Sequence, residues 1–148
     1  GDVHIEYSPG LKGVTVAAGR VPDMIDEIPV LCAAAAFADG TTHIEGLGEL
    51  RHKESDRLAT TAHMLTRCGV PVEAGDDSLT IHGDGQPPAG GGEIDSAGDH
   101  RIAMAAAVLG LGAQNAVTVT MAEAIATSFP GFVEMMRALG AHIEERHD

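Results

Sequence analysis

The 148-residue chain is poor in aromatic side chains, with one Tyr, three Phe and no Trp, or 3% of the total. Its core must therefore be built from Ala, Val, Leu, Ile and Met, and a platform of stacked rings for single-stranded nucleic acid is excluded. Cations are scarce as well: nine Lys and Arg stand against 22 Asp and Glu, a formal net charge of −13. A field of that sign repels DNA, RNA and anionic lipid surfaces alike, so no nucleic-acid or membrane partner is expected. An anionic ligand would have to be held by a local cationic cluster working against the global field. The positions of the nine cations thus become the first question.

Cysteine is nearly absent. Cys32 and Cys68 lie in apolar, helix-like surroundings with no CxxC or Cys/His spacing, so no zinc or redox motif is present. Two buried, reduced thiols are expected, as in a cytoplasmic protein. No stretch approaches the roughly 18–20 consecutive apolar residues of a membrane span. The chain opens on Gly1-Asp2 without an initiator Met and reads at once as strand, which leads us to expect a piece of a longer protein.

What is present is enough for one globular domain and hardly two: 44% of the residues are hydrophobic and 21% charged. Val3 to Tyr7 alternates, Ser8-Pro9-Gly10 is a turn signal, and Leu11 to Val16 follows, so the spacing predicts a hairpin. The apolar run from Ile28 to Ala38 predicts a helix, with Asp26 placed to cap it and Asp39-Gly40 to stop it. Thr41 to Glu45 predicts a strand. Glu54 to Arg67 predicts a helix closed by Gly69, and Val70 to Glu73 and Ser78 to His82 predict strands around a Gly75-Asp76-Asp77 turn.

The stretch 83–92 is too rich in Gly and Pro for periodic structure and lacks the GxxxxGK[ST] phosphate-loop pattern, so it is read as a plain loop. Beyond it come a strand at Glu93 to Asp95, an apolar helix from Ile102 to Leu111 opened by Asp99, and a strand at Ala116 to Thr120. A helix opened by Pro130 and a strand at Ala141 to Glu144 complete the order. Leu65 to Glu73 overlays Met136 to Glu144, and Ala34 to Ala36 overlays Ala105 to Ala107, both at an offset of 71 residues. We read an α/β chain with an internal repeat: units 14–83 and 93–148, the second incomplete, joined by the loop 83–92. The Ala-rich helices allow close approach and are expected at the centre.

Arg51-His52-Lys53-Glu54-Ser55-Asp56-Arg57 holds three of the nine cations. With a helix beginning near Lys53, Lys53 and Arg57 would form a like-charge pair at i and i+4 in a first turn, where the macrodipole also disfavours cations. A bound anion would repair both faults; neutralisation by Glu54 and Asp56 on a solvated face is the alternative. Asp99-His100-Arg101 repeats the pattern, with Asp99 a natural N-cap and Arg101 in the first turn of a nearly all-apolar helix. Two such helix starts point to a shared anion such as phosphate or carboxylate. Glu54 and Asp26 are the carboxylates placed for acid–base work.

These residues match a family. Arg51 to Leu58 resembles the RxKE[ST]DR signature of 5-enolpyruvylshikimate-3-phosphate synthases, and Asp99 to Met104 resembles their DHRxAM motif. Met24 to Pro29 and Ala126 to Phe132 resemble the family's Asp-bearing segment and its [ST]FPxF segment. The resemblance implies repeated βαβαββ units of the enolpyruvyl transferase fold, with residues 1–148 as the C-terminal part of one lobe of a two-lobed enzyme. It implies transfer of the enolpyruvyl group of phosphoenolpyruvate to the 5-hydroxyl of shikimate 3-phosphate with release of phosphate, on the route to chorismate and the aromatic amino acids.

By the same resemblance, Asp26 contacts the sugar-acid hydroxyls and accepts a proton, and Glu54 takes part in proton transfer at the methylene carbon. Lys53 lies near both substrates, Arg57 and Arg101 clamp phosphoenolpyruvate, and no metal or organic cofactor is needed. The remaining N-terminal part of the enzyme would supply further phosphate-binding groups, so this piece alone is expected to be inactive. Two positions depart from the pattern. Thr127 stands where many members carry a lysine, and Glu49 where some carry an Asn. The sibling transferase acting on UDP-N-acetylglucosamine, and a noncatalytic anion-binding module using only Arg57 and Arg101, stand as alternatives.

Overall fold

The computed structural model describes residues 1–4, 6 and 9–146. The first repeat runs β1 (Thr15–Val16), α1 (Ile28–Ala35), β2 (Asp39–Glu45), α2 (Arg57–Arg67), β3 (Val72–Ala74) and β4 (Ser78–Asp84). The second runs β5 (Glu93–Asp95), α3 (His100–Gly112), β6 (Thr118–Thr120), a short α4 (Ile125–Ser128) and α5 (Phe132–Ala138). The fold is α/β with repeated βαβαββ-type units: the first unit is complete, and the second repeats its βαβα portion.

Four strands form one sheet in the order β1-β2-β4-β3, and β5 and β6 form a second, parallel pair. Only the β1–β2 pairing of the larger sheet is parallel. The β2–β4 ladder runs in register from Asp39 opposite Asp84 to Glu45 opposite Ser78. Its alternation is that of a sheet with one solvated face: Thr42, Ile44, Leu79 and Ile81 are buried, while His43, Glu45, Thr80 and His82 face outward. The buried set meets α1 and α2 in one core containing Ile28, Cys32, Leu58, Met64, Leu65 and Leu109.

Helix α1 packs against α3, and Ala33, Ala35, Ala105 and Ala106 are all buried. The two Ala-rich helices are thus central, as their composition predicts. Gly69 closes α2 in the left-handed region at φ 80°, with its N–H donating to Thr66 and that of Val70 to Leu65, each at 3.0 Å. At Gly92 a Cβ would lie 2.4 Å from the carbonyl oxygen of Arg67, so glycine lets the loop approach the end of α2.

Three local expectations change, and a fourth falls outside the described residues. The hairpin predicted over Val3 to Val16 includes residues 5, 7 and 8, which lie outside the described set; Lys12 bridges to Asp39, and β1 pairs in parallel with β2. Asp39-Gly40 opens a strand and does not merely stop a helix. Helix α2 begins at Arg57, not near Lys53, because the Asp56 carboxylate accepts the Ala59 N–H at 2.9 Å and fixes the cap there. Ala141 to Glu144 lies outside any strand of the described residues; Arg137 Nε donates to the Ile143 carbonyl at 2.9 Å and holds the segment back on α5.

The Gly/Pro-rich loop behaves as a connector. Strand β4 extends through Asp84, and the loop then lies along the turn after α3. Gln114 Nε2 donates to the Pro87 carbonyl and Asn115 Nδ2 to that of Ala89, both at 2.8 Å.

Candidate active site

Arg57 is the centre of the site. It opens α2, its side chain is only 1% exposed, and each of its three guanidinium nitrogens meets a different carboxylate. Nε donates to Asp99 at 2.8 Å, Nη1 to Asp26 at 2.8 Å and Nη2 to Glu54 at 2.5 Å. Asp99 comes from the start of α3, Asp26 from the 3₁₀ segment Ala18–Glu27 before α1, and Glu54 from the loop before α2.

The three carboxylates differ in exposure, and that difference separates their roles. Asp99 is fully buried, whereas Asp26 and Glu54 keep 43% and 54% of their side-chain surface in solvent. Asp99 Oδ2 takes Arg57 Nε and the Ser55 hydroxyl, the latter at 3.0 Å, while Oδ1 takes the Arg101 N–H at 2.9 Å as the cap of α3. Burial pushes the Asp99 pKa upward, but these donors outweigh it and hold the carboxyl below its ordinary range. Burial likewise opposes the charge on Arg57, and the surrounding carboxylates more than restore it.

Arg101 lies beside this hub. Its Nη1 donates to Glu27 Oε1 at 3.1 Å and to the Asp26 carbonyl at 3.3 Å, and its Nη2 stands 3.5 Å from Asp26 Oδ2. Lys53 donates to Glu49 at 2.8 Å. That hydrogen bond raises its pKa against a smaller opposing effect of desolvation, and it also feels the charges of Asp26 and Arg57.

The five residues named from the sequence therefore converge on one locus. Their expected arrangement is nevertheless corrected in three ways. Lys53 lies before α2, so the like-charge pair within a helical turn does not exist. The N-terminus of α2 is served by its own Asp56. Asp26 forms no cap for α1, and its carboxylate is turned to Arg57 and Arg101.

Sequence reasoning missed Ser55 and the second function of Asp99, which it recognised only as a cap. The available signal was Asp99 itself, a carboxylate opening a nearly all-apolar helix, which needs a cationic partner once it is buried. Glu49, a departure from the family pattern, is the partner of Lys53. Thr127 donates to the Ala124 carbonyl at 2.7 Å.

An open, mainly apolar groove of about 180 Å³ adjoins the hub, with Asp26 and Arg101 among its lining and Val30, Met104, Phe129 and Phe132 on its walls. Phe129 and Phe132 pack edge to face at 5.6 Å. The Phe-Pro segment is thereby brought to the same place as the other three motifs. Among the described residues no cluster of His, Cys, Asp or Glu is arranged to hold a metal ion, and no helix is long and apolar enough to cross a membrane.

This architecture recurs in solved structures. The enolpyruvyl transferase NikO from Streptomyces tendae matches 93% of the chain with a TM-score of 0.74 at 24% identity, which defines the fold. An EPSP synthase from Acinetobacter baumannii matches 91% of the chain, and 32% of its own, with a TM-score of 0.86 at 41% identity. The family model for EPSP synthase (3-phosphoshikimate 1-carboxyvinyltransferase) matches residues 2–147, and the chain belongs to this family. The 3-phosphoshikimate 1-carboxyvinyltransferase of Paramagnetospirillum magneticum is 55% identical over 136 residues, which are 92% of this chain and 30% of the relative. That of Caulobacter vibrioides strain NA1000 is 51% identical over 145 residues, 98% of this chain and 32% of the relative. The chain thus spans about a third of the length of these relatives.

Proposed function

We propose that this chain is the C-terminal part of one lobe of a two-lobed cytoplasmic enzyme that transfers the enolpyruvyl group of phosphoenolpyruvate to the 5-hydroxyl of shikimate 3-phosphate. The observation that carries this reading is the convergence of four separate segments, bearing Asp26, Lys53 to Arg57, Asp99 to Arg101, and Phe129 to Phe132, on one locus. We read these segments as belonging to repeat units 14–83 and 93–148, joined by the loop 83–92.

Chemically, the 5-hydroxyl oxygen bonds to C2 of phosphoenolpyruvate while its proton is accepted by Asp26. The methylene carbon takes a proton through Glu54 to become a methyl group, giving a tetrahedral ketal phosphate. Collapse returns a proton from that methyl group, restores the double bond and expels phosphate. Asp26 and Glu54 are partly exposed and hydrogen-bonded to the same buried guanidinium, which fixes the two acid–base groups relative to each other. Lys53, Arg57 and Arg101 face the phosphate and carboxylate of the substrates.

The charge balance supports a further point. Lys53, Arg57 and Arg101 already meet Glu49, Glu54, Asp99, Asp26 and Glu27. Substrate anions must displace some of these carboxylates, and added cations from the remaining N-terminal part of the protein would tip that exchange. The isolated chain should therefore bind substrates weakly and turn over neither. The product would feed chorismate and aromatic amino acid formation.

The test is phosphorus NMR of a full-length protein carrying this chain, mixed with phosphoenolpyruvate and shikimate 3-phosphate. Loss of the phosphoenolpyruvate signal with matching growth of inorganic phosphate and of a new sugar-acid phosphate supports the reading. Phosphate growth without that new signal, or no change, contradicts it.

A further inference from the structure

Between the 3₁₀ segment Gly48–His52 and α2 lie Lys53, Glu54, Ser55 and Asp56, which belong to no regular element. Lys53 and Glu54 carry side chains assigned above to the substrates, and Ser55 holds Asp99. A segment without its own ladder of backbone bonds has to be placed by side chains around it.

Arg51 supplies that placement. Its Nε donates to the Asp76 carbonyl at 2.9 Å, its Nη2 to the Gly75 carbonyl at 3.0 Å, and its Nη1 to Asp56 Oδ2 at 3.0 Å. Gly75 and Asp76 belong to the turn between β3 and β4, while Asp56 caps α2 through its other oxygen. One guanidinium thus ties a strand turn to a helix start, and the loop 53–56 is strung between Arg51 and that helix start. The same turn also holds the near side of the 3₁₀ segment: the Asp77 carboxylate accepts the Gly48 N–H, and its carbonyl accepts the Leu47 N–H at 3.0 Å. Three acceptors around one planar fork suit Arg and not the single ammonium of Lys. Among the described residues, the hydrogen-bond partners of Arg51 all lie outside the Asp26, Glu54, Arg57 and Asp99 hub.

We infer that Arg51 is a positioning residue: through the β3–β4 turn and Asp56 it sets the backbone of Lys53 to Ser55, and so the presentation of Lys53 and Glu54, without touching substrate. The inference rests on the function proposed above for those two side chains. Its signature is a kinetic split, because Glu54 acts in proton transfer and its misplacement lowers kcat more than it changes KM.

The test uses Arg51→Lys in a full-length protein carrying this chain, with steady-state kinetics and amide hydrogen exchange read on a peptide covering 47–57. We expect kcat to fall at least about tenfold with KM for either substrate changed less than about threefold. Exchange should quicken at 53–56 and stay unchanged in β2, β4 and α3. Unchanged kcat with unchanged local exchange overturns the inference, as does faster exchange throughout the protein, which marks a general folding role. Should Arg51→Lys fail to fold, Asp56→Asn, which keeps a capping oxygen and loses the ion pair, carries the same test. Loss of kcat by about twofold or more with faster local exchange supports the inference, and unchanged values overturn it. If the unsubstituted protein has no turnover, the proposed function fails, while the exchange measurement still decides whether Arg51 places the loop.

Discussion

Arg57 and Asp99, 42 residues apart, meet through a 2.8 Å hydrogen bond from Nε to Oδ2, with both side chains buried. This pair joins the two repeats at the starts of α2 and α3. Without Asp99 the guanidinium would keep Asp26 and Glu54, so what the pair adds is one buried charge-assisted hydrogen bond, about 1.5–3 kcal/mol. The pair is therefore both a structural tie and the fixed floor of the site.

Asp99→Asn keeps a capping oxygen but loses the charge, and should destabilise the chain by about 2 kcal/mol at neutral pH. The native Asp99 carboxyl lies below its ordinary value, so its stabilisation is present above the usual Asp range near pH 4 and is lost as pH falls through the lower native value. Denaturant unfolding of both forms should show the gap between them narrowing below about pH 4. A gap that stays constant in acid contradicts this account of the pair.

The hydrogen bond from Lys53 to Glu49 keeps the ammonium protonated beyond the ordinary lysine range. Glu49→Gln should move the Lys53 titration back down in carbon-13 NMR of labelled lysine. An unchanged titration would mean that Glu49 is not the operative partner.

Asp26→Ala in a full-length protein carrying this chain should lower turnover by about 100-fold or more, the ordinary contribution of a general base. A noncatalytic anion-binding module would show no turnover before substitution and keep its ligand affinity after it. Equal turnover before and after substitution would remove Asp26 from the chemistry.

Cys32 is fully buried and its thiol is pushed up to about 12, while Cys68 is raised by burial against a smaller opposing effect of Arg67. A thiolate-specific reagent should label neither in the native chain and both after denaturation. Rapid labelling of the native chain would contradict the packing of α1 and α2 described above.

The parts of the site legible in the sequence were those written locally. Asp99 followed by an apolar run announces a capped helix, and the structure places the cap bond from Arg101 there. The start of α2 was harder to read, because Glu54 and Asp56 both resemble first-turn acids and only the Asp56 bond to Ala59 decides between them. The three partners of Arg57 come from segments 3, 31 and 42 residues away, and no periodicity encodes such a meeting. Family resemblance named Asp26, Glu54 and Arg57 separately; their joining through one buried guanidinium required the fold. The predicted strand at Ala141 to Glu144 met a different obstacle, since alternation signals a strand only where a neighbouring strand pairs with it.

The central claim is that this chain carries one side of a composite site. Phosphate release from phosphoenolpyruvate and shikimate 3-phosphate, measured side by side for the 148-residue chain and for a full-length protein carrying it, tests that claim most directly. The account predicts sustained release by the full-length protein and none by the isolated chain; robust turnover by the isolated chain, or none by the full-length protein, would contradict it.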